Sequence, residues 1–207
     1  MNLGQIRAVY DRRARTYDRT VGCGERVLLG GLRRAFGAEL RGATLEVAVG
    51  SGLNLPHYGP DVDRAVGVDL SRGMLWEARQ RVATLARPVA LVQMDAQRLA
   101  FPAASFDTVA ISLALCTVPD PAAALRELAR VCKSGGRVVL LEHVRSPYWP
   151  VALFQHAVSP LQERFIGCHL TRETEKTLRH LEFTIISEHT RLFGIFRLLV
   201  ATPPPHD

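Results

Sequence analysis

Two glycines separated by one residue follow an apolar run near position 50. Residues 45–55 read LEVAVGSGLNL, with Gly50 and Gly52 directly after the apolar part. Glycine is needed where a chain turns sharply and where backbone must approach a ligand without a Cβ in the way. In open α/β sheets, the ligand crevice lies at such a turn after a strand. We therefore expect a small-molecule site here, with a helix following the turn.

This turn lacks the residues that bind phosphate groups. A dinucleotide fold requires a third glycine at position 55, where this chain has Leu55. A P-loop requires a lysine followed by serine or threonine, and neither follows the turn. The pattern favours a cofactor whose adenosine carries a zwitterionic methionine in place of phosphates.

Two acidic residues follow later apolar runs. Asp69 ends the run 65–69, 23 residues after Glu46, and Asp95 ends a third run at 92–95. A carboxylate at Asp69 can accept hydrogen bonds from both hydroxyls of an adenosine ribose. Asp95 can accept from the adenine amino group while Ala96 donates its backbone N–H. With the glycine turn, these residues predict an adenosine site built from three successive strand ends.

The elements that must position these residues are apolar runs alternating with helical stretches, which is typical of βαβ units. Because the runs are continuously apolar, we expect strands that are covered on both faces. Strands are predicted at 43–49, 64–68, 89–93, 108–112 and 137–141, followed by a closing hairpin of 183–189 and 194–201. Helices are predicted at 71–86, 121–132, 150–165 and 171–181.

The amino-terminal segment has helical periodicity with a basic face. Helices are predicted at 3–19 and 25–37, and the first carries an apolar stripe surrounded by arginines. We expect a single α/β domain. Its parts are a helical lid at 1–40, a cofactor-binding core at 41–145, and substrate-side helices with the closing hairpin at 146–202.

The overall charge and the cysteine spacing restrict partners and compartment. The net charge is +6, nearly all from arginine, which favours an anionic partner without choosing between nucleic acid and a membrane surface. A charged residue already at Arg7 argues against a secretory signal, and the apolar runs are too short to span a membrane. We expect a cytoplasmic protein, with peripheral membrane contact left open. The four cysteines are far apart in sequence and form no C-x-x-C pair; they are Cys23, Cys116, Cys132 and Cys168. We therefore expect neither a metal site nor a disulfide framework. We expect Cys116 to be a packing residue.

Five segments resemble motifs of class I S-adenosylmethionine-dependent methyltransferases; they are residues 46–52, 66–69, 94–96, 106–109 and 128–136. The resemblance implies a Rossmann-like, seven-stranded, mostly parallel sheet in the order 3-2-1-4-5-7-6, with strand 7 antiparallel. It implies S-adenosylmethionine as cofactor, with Glu46 near the methionine amino group and Ser112 beside the sulfonium. Ala48 departs from the family pattern, which usually has glycine there. The cofactor-binding residues expected are Glu46, Ala48, Gly50, Gly52, Asn54, Asp69, Leu70, Met74, Asp95, Ala96, Ser112 and Leu113.

Residues 10–18 resemble the Tyr-Asp…Ala…Tyr-Asp stretch of phospholipid N-methyltransferases and quinone C-methyltransferases. That resemblance implies a helix that closes over the cofactor. Tyr10 and Tyr17 can place a ring face or a hydroxyl against a cationic centre. His143 follows the fifth strand and has an ordinary pKa near neutrality, so it can take a proton from the acceptor. These three residues are the predicted catalytic group.

The identity of the methyl acceptor is the feature that the sequence determines least. Residues 140–174 resemble a branch that includes mammalian alkyl-thiol methyltransferases and bacterial relatives grouped with phosphatidylethanolamine methyltransferases. Our first hypothesis is a phospholipid amine, with the basic helix 3–19 contacting anionic headgroups. Thiol S-methylation, quinone C-methylation and cofactor binding without turnover remain alternatives. Nucleic acid is not expected, because no base-flipping motif follows the fourth strand. The oligomeric state stays open.

Overall fold

The computed structural model describes residues 1–205, apart from the side chains of residues 22–26. Its helices are α1 (Leu3–Leu29), α2 (Leu32–Ala38), α3 (Arg72–Val82), α4 (Pro121–Val131), α5 (Trp149–Ile166) and α6 (Thr174–His180). Its strands are β1 (Gly42–Val47), β2 (Val62–Asp69), β3 (Val89–Gln93), β4 (Phe106–Ser112), β5 (Cys132–His143), β6 (Thr184–Arg191) and β7 (Phe196–Thr202). Ser71 and Asp120 are the N-cap residues of α3 and α4, and the side chain of each accepts a backbone N–H of the first turn.

The strands of the described chain form one seven-stranded sheet in the order β3-β2-β1-β4-β5-β7-β6. Neighbouring strands from β3 to β5 are parallel, and β7 pairs antiparallel with both β5 and β6. The predicted order and the antiparallel strand 7 are confirmed. Since parallel strands end at the same edge, the ends of β1, β2 and β4 meet beside the glycine turn.

Apolar side chains on both faces of the sheet hold it between helices. Leu140 lies in a buried cluster with Leu125 and Leu128 of α4, whereas the adjacent Val139 packs with Phe36 of α2 and Leu75 of α3. Burying a side chain of this size contributes roughly 1.5–3 kcal/mol. This two-sided burial explains why the central strands are continuously apolar in sequence.

Two amino-terminal helices were predicted, at 3–19 and 25–37, and the predicted position of the break between them is wrong. α1 is continuous from Leu3 to Leu29, and α2 follows after Gly30 and Gly31. Gly30 has a φ of 56°, a conformation that glycine adopts without the strain of a Cβ, so the helix ends there. The side chain of Cys23, in the segment predicted as a break, lies outside the described residues.

The helix predicted directly after the glycine turn is also wrong. That segment contains one turn of 3-10 helix, Leu55–His57, before the chain continues to β2. Gly59 and Pro60 follow closely, and Pro60 lacks the N–H that another helical turn would need. β5 begins at Cys132, earlier than expected, with a register shift where Phe106 pairs with Cys132 and Thr108 with Arg137. None of the helices within the described chain has the length and apolar character to cross a bilayer.

Candidate active site

A cavity at the carboxyl edge of the sheet, covered by α1, contains about 930 Å³ of empty space, part of it open to solvent. Its wall includes most of the residues predicted from sequence. They are Tyr10, Tyr17, Ala48, Gly50, Asn54, Asp69, Leu70, Met74, Asp95, Ala96, Ser112 and Leu113. The structure therefore brings the lid tyrosines together with the ends of β1, β2, β3 and β4.

Three of the predicted residues are not part of the cavity wall. Gly52 lies behind the turn, where an added Cβ would be 2.8 Å from Cδ1 of Leu55. Glu46 is fully buried beneath Asn54. His143 lies at the end of β5, beside Cys168. Glu46 and Gly52 can thus shape the site only through neighbouring residues.

The glycine turn presents bare backbone to the cavity. Gly50 has a φ of 58°, and a Cβ built on it would find no atom within 4 Å. The space that a side chain would fill is left for a ligand. Ala48 also has a positive φ, 56°, which explains why glycine is expected there. Retaining alanine in this conformation costs roughly 1–2 kcal/mol.

Asp69 is held in a fixed orientation by backbone donors. Its Oδ2 accepts from the Gly50 N–H at 2.8 Å, and its Oδ1 accepts from the Ser71 N–H at 2.8 Å. Burial raises the pKa of Asp69 to about 6, against the opposing effect of those hydrogen bonds. The oriented carboxyl lies on the cavity wall, where its remaining lone pairs can accept from a pair of ligand hydroxyls.

A polar network beneath the cavity links Glu46 to the wall. Asn54 donates through Nδ2 to Oε1 of Glu46 at 2.5 Å and to Oγ of Ser112 at 2.7 Å, and Tyr58 donates to Oε2 of Glu46. Burial raises the pKa of Glu46 to about 7. Nη1 of Arg33 completes the network by donating to Oδ1 of Asn54 at 2.6 Å. Sequence reasoning missed Tyr58 and Arg33, because nothing in their spacing relates them to the glycine turn.

Two aspartates fasten α1 over the cavity. Oδ1 of Asp11 accepts from Oγ of Ser71 at 2.6 Å and from the Gly73 N–H at 2.9 Å. Asp18 accepts from Oγ of Ser51 at 2.6 Å and forms an ion pair with Arg81, Oδ2 to Nη2, also at 2.6 Å. A role was predicted for the tyrosines of this pattern but not for its aspartates. Their seven-residue separation, which places them on one helical face, was the available signal.

The lid tyrosines face each other in the cavity. The ring centroids of Tyr10 and Tyr17 lie 6.3 Å apart, with the rings tilted by 53°. Burial, followed by the influence of Cys116, raises the pKa of Tyr10 well above its usual value, so its hydroxyl stays neutral. The pair offers two ring faces and two hydroxyl groups, which can surround a cationic centre.

His143 has surroundings different from those expected of a general base at the crevice. Its Nε2 lies 3.2 Å from Sγ of Cys168, and no partner for its Nδ1 is found among the described residues. One ligand atom each from Cys116, His143 and Cys168 lies within 4.8 Å of the others. Hydrogen bonds from Cys116 and then His143 lower the pKa of the Cys168 thiol. The geometry therefore gives no support to proton abstraction by His143 in the cavity.

Comparison with known proteins identifies similar sequences. A family model described as "Methyltransferase domain" matches residues 45–140. The chain is 41% identical over 130 residues to a phosphatidylethanolamine N-methyltransferase of Cereibacter sphaeroides, covering 62% of this chain and 63% of that protein. It is 35% identical to a demethylmenaquinone methyltransferase of Clavibacter sepedonicus (76% and 67% covered) and 33% identical to the human thiol S-methyltransferase TMT1B (78% and 68%).

A solved structure has the same architecture over nearly the full length. The DhpI–SAH complex superposes with a TM-score of 0.73 at 22% identity, covering 99% of this chain and 98% of that one. The curated relatives are longer: the chain spans less than two thirds of the phosphatidylethanolamine N-methyltransferase. The superposition shows that the two chains share a fold.

Proposed function

We propose a substrate class for this chain, which belongs to the class I S-adenosylmethionine-dependent methyltransferases. In this proposal, the protein methylates an amphiphilic acceptor at a membrane surface. The acceptor group that we propose is the amine of a phospholipid headgroup. The cofactor is S-adenosylmethionine, which supplies an electrophilic methyl group on a sulfonium.

The residues of the cavity wall fit this cofactor. Asp69 would accept the ribose hydroxyls, and Asp95 with the backbone of Ala96 would bind the adenine. Gly50, Asn54 and Ser112 would face the methionine portion, with Glu46 acting on it through Asn54. Methyl transfer is an in-line displacement, so the protein mainly has to align the acceptor with the methyl group and exclude water. The lid helix α1 serves both purposes.

The observation that carries the membrane proposal is a large exposed apolar surface, here called the α5 surface. Its members are Tyr148, Trp149, Leu153, Phe154, Leu161 and Phe165, together with Phe193 of the β6–β7 turn. Each has between 58% and 76% of its surface exposed, and the rings of Tyr148 and Phe193 pack edge to face. Monomeric proteins rarely expose so contiguous an apolar patch unless it binds a partner or a membrane.

The α5 surface reaches the lid end of the cavity. Gly167, directly after α5, lies against α1: an added Cβ would be 3.3 Å from Sδ of Met1 and 3.6 Å from Cγ1 of Ile6. Ile6 lines the cavity together with Leu3 and Arg7. An acceptor whose hydrocarbon chains rest against the α5 surface can therefore present its headgroup at the cavity mouth.

Charge favours an anionic lipid surface. The net charge is +6, and the arginines on the outer face of α1 are exposed: Arg12, Arg13, Arg15 and Arg19. Each basic residue near an anionic membrane contributes about 1 kcal/mol of attraction. Proteins that lie on membrane surfaces combine an apolar face with a basic face, and the α5 surface and these arginines would supply the two.

The tyrosine pair favours an amine over the alternative acceptors. A neutral amine attacks the sulfonium methyl group, the thioether leaves, and the positive charge passes to the acceptor nitrogen. The rings of Tyr10 and Tyr17 can stabilise that charge, whereas a thiolate acceptor gives an uncharged product. Thiol S-methylation and quinone C-methylation are the alternatives, since relatives with those activities are of similar identity.

Methyl-labelled S-adenosylmethionine tests the acceptor directly. The protein is incubated with phosphatidylethanolamine vesicles, with a demethylated naphthoquinol in the same vesicles, and with an alkyl thiol. We expect label in the N-methylated headgroup. Label appearing only in the quinol or only in the thiol would refute the phospholipid amine as acceptor and identify the true one.

A further inference from the structure

Cys116, His143 and Cys168 come from three segments that are far apart in sequence. Cys116 lies in the loop after β4, His143 ends β5, and Cys168 lies in the loop after α5. The three side chains converge so that one ligand atom of each lies within 4.8 Å of the other two. The His169 N–H donates to the carbonyl oxygen of Cys116 at 2.9 Å, which fixes the two loops against each other.

The cluster lies in the protein interior, where polar atoms normally have hydrogen-bond partners. Cys116 and Cys168 are buried, with 3% and 6% of their surface exposed. Nδ1 of His143 is enclosed and finds no partner in the part of the chain that the structure describes. A buried polar atom without a partner costs roughly 1–3 kcal/mol. The other ring nitrogen, Nε2, faces the cluster at 3.2 Å from Sγ of Cys168, and it is the atom of His143 that could bind a metal there.

Two sulfur ligands and one imidazole are a donor set that metals of intermediate softness prefer. We propose that Cys116, His143 and Cys168 bind a thiophilic divalent cation, with Zn²⁺ as the first choice. Zinc is usually four-coordinate in proteins, so three protein ligands leave one position for water or for a donor atom of another ligand. The expectation that the chain has no metal site was based on the spacing of cysteines in the sequence. In the structure, residues that are far apart in sequence come together.

The location of the site connects it to the cavity. Leu113 and Ala114, just before Cys116, line the cavity, and so does Tyr10. Oε1 of Glu142 accepts from the N–H groups of Ala114 and Leu115, which orients this loop. A bound cation would tie the loop after β4 and the loop after α5 to the end of β5, next to the lid.

Metal binding is tested on full-length protein purified in chelator-treated buffer. Zn²⁺ is titrated against a chromogenic chelator, and Co²⁺ serves as a spectroscopic probe of thiolate ligation. We expect about one Zn²⁺ per chain and a sulfur-to-cobalt charge-transfer band. Loss of an outer-shell partner weakens metal sites 10- to 100-fold, so Cys168→Ser, which removes a direct ligand, should weaken Zn²⁺ binding by more than about 100-fold.

Cys132→Ser is the matched control, because Cys132 is also buried but belongs to β5 outside the cluster. It should leave the cobalt band and the Zn²⁺ affinity unchanged. Addition of Zn²⁺ should raise the Tm of wild-type protein and of Cys132→Ser but not of Cys168→Ser. Near-ultraviolet circular dichroism checks that each variant is folded.

Three results would overturn the proposal: folded wild-type protein without a cobalt band, equal loss of metal in Cys132→Ser, or a Cys116–Cys168 disulfide detected by mass spectrometry in freshly purified protein. Calorimetry with S-adenosylhomocysteine on the same samples separates this proposal from the proposed function. Intact nucleoside binding without metal binding would refute only the metal site.

Discussion

At the scale of single residues, burial and hydrogen bonding give two carboxyls of the site different roles. Asp69 lies on the cavity wall with both oxygens oriented by backbone N–H groups, so it can contact a ligand directly. Glu46 lies one layer below and reaches the wall only through Asn54. Burial raises the pKa of both. Asp69 is therefore the residue at which removal of charge tests cofactor binding most directly.

We expect Asp69→Asn to weaken S-adenosylhomocysteine binding at pH 8 by about 10- to 100-fold, because hydrogen bonds to an ionised group contribute about 1.5–3 kcal/mol. Since the pKa of Asp69 is raised to about 6, wild-type affinity should fall as pH falls through 6. The affinity of the variant should be nearly independent of pH over this range. Isothermal titration calorimetry between pH 5 and pH 8 measures both effects.

Asp63→Asn is the control, because Asp63 is an exposed aspartate of the same strand. The effect on stability has the opposite sign. A carboxyl whose pKa is raised on folding stabilises the folded state below its unfolded pKa, and this contribution is lost as pH rises through 6. Asp69→Asn removes the buried charge but also replaces one of the two acceptor oxygens with an NH₂ donor, so the two effects oppose and the Tm of the ligand-free protein at pH 8 should change little. A large fall in Tm, matching the loss of affinity, would contradict a direct binding role.

At the scale of elements, α1 covers the cavity and is held by buried apolar side chains and by two aspartates. Asp11 fastens its first half to the start of α3, and Asp18 fastens its middle to the glycine turn and to Arg81. Partly exposed contacts of this kind contribute roughly 1 kcal/mol each. We propose that α1 acts as a lid and that the aspartates slow its opening.

We expect the double substitution Asp11→Ala with Asp18→Ala to speed release of S-adenosylhomocysteine by about 10-fold or more, since four contacts, each worth roughly 0.5–1 kcal/mol, are lost. Stopped-flow displacement measures the rate, and hydrogen exchange over residues 3–20 reports the opening of α1. Arg12→Ala with Arg19→Ala changes exposed residues of the same helix and should leave the release rate unchanged. Equal release rates in the two double variants would show that the aspartates do not fasten the lid.

At the scale of the whole molecule, the end of α5 packs at Gly167 against Ile6 of α1, which also lines the cavity. The exposed arginines Arg12, Arg13, Arg15 and Arg19 lie further along α1. The exposed apolar side chains of α5 and the exposed arginines of α1 support the proposed contact with a membrane, because a bilayer surface offers hydrocarbon and anionic headgroups together.

We expect Phe154→Ser with Phe165→Ser to reduce partition onto vesicles containing anionic lipid by about 10-fold or more, since each removed side chain loses apolar burial worth about 2 kcal/mol. Co-sedimentation measures the bound fraction. Ile186→Ser is the matched control, because Ile186 is 60% exposed but lies on β6 outside the α5 surface. Binding should also weaken as salt increases. Vesicle binding that is the same in all three proteins would refute the role of the α5 surface.

The sequence alone determined the order of the strands and most of the cavity wall. Apolar runs, glycine turns and acids at strand ends are local patterns, and the parallel sheet brings those strand ends to a common edge. The grouping of Gly50 and Asp69 was predictable from these patterns, whereas the order β3-β2-β1-β4-β5-β7-β6 and the place of Ser112 were implied by the resemblance to class I methyltransferases. The local errors, the break in the amino-terminal helices and the helix after Gly52, occurred where glycine and proline competed with a weak helical pattern.

Only the tertiary structure decided which distant residues touch. It placed His143 beside Cys168 instead of in the cavity, set Glu46 behind Asn54, and joined Asp18 to Arg81. It also left the apolar side of α5 exposed, although the sequence of this helix equally suits a buried position. Contacts between loops and helices depend on the packing of the whole chain, and no spacing within one segment contains that information.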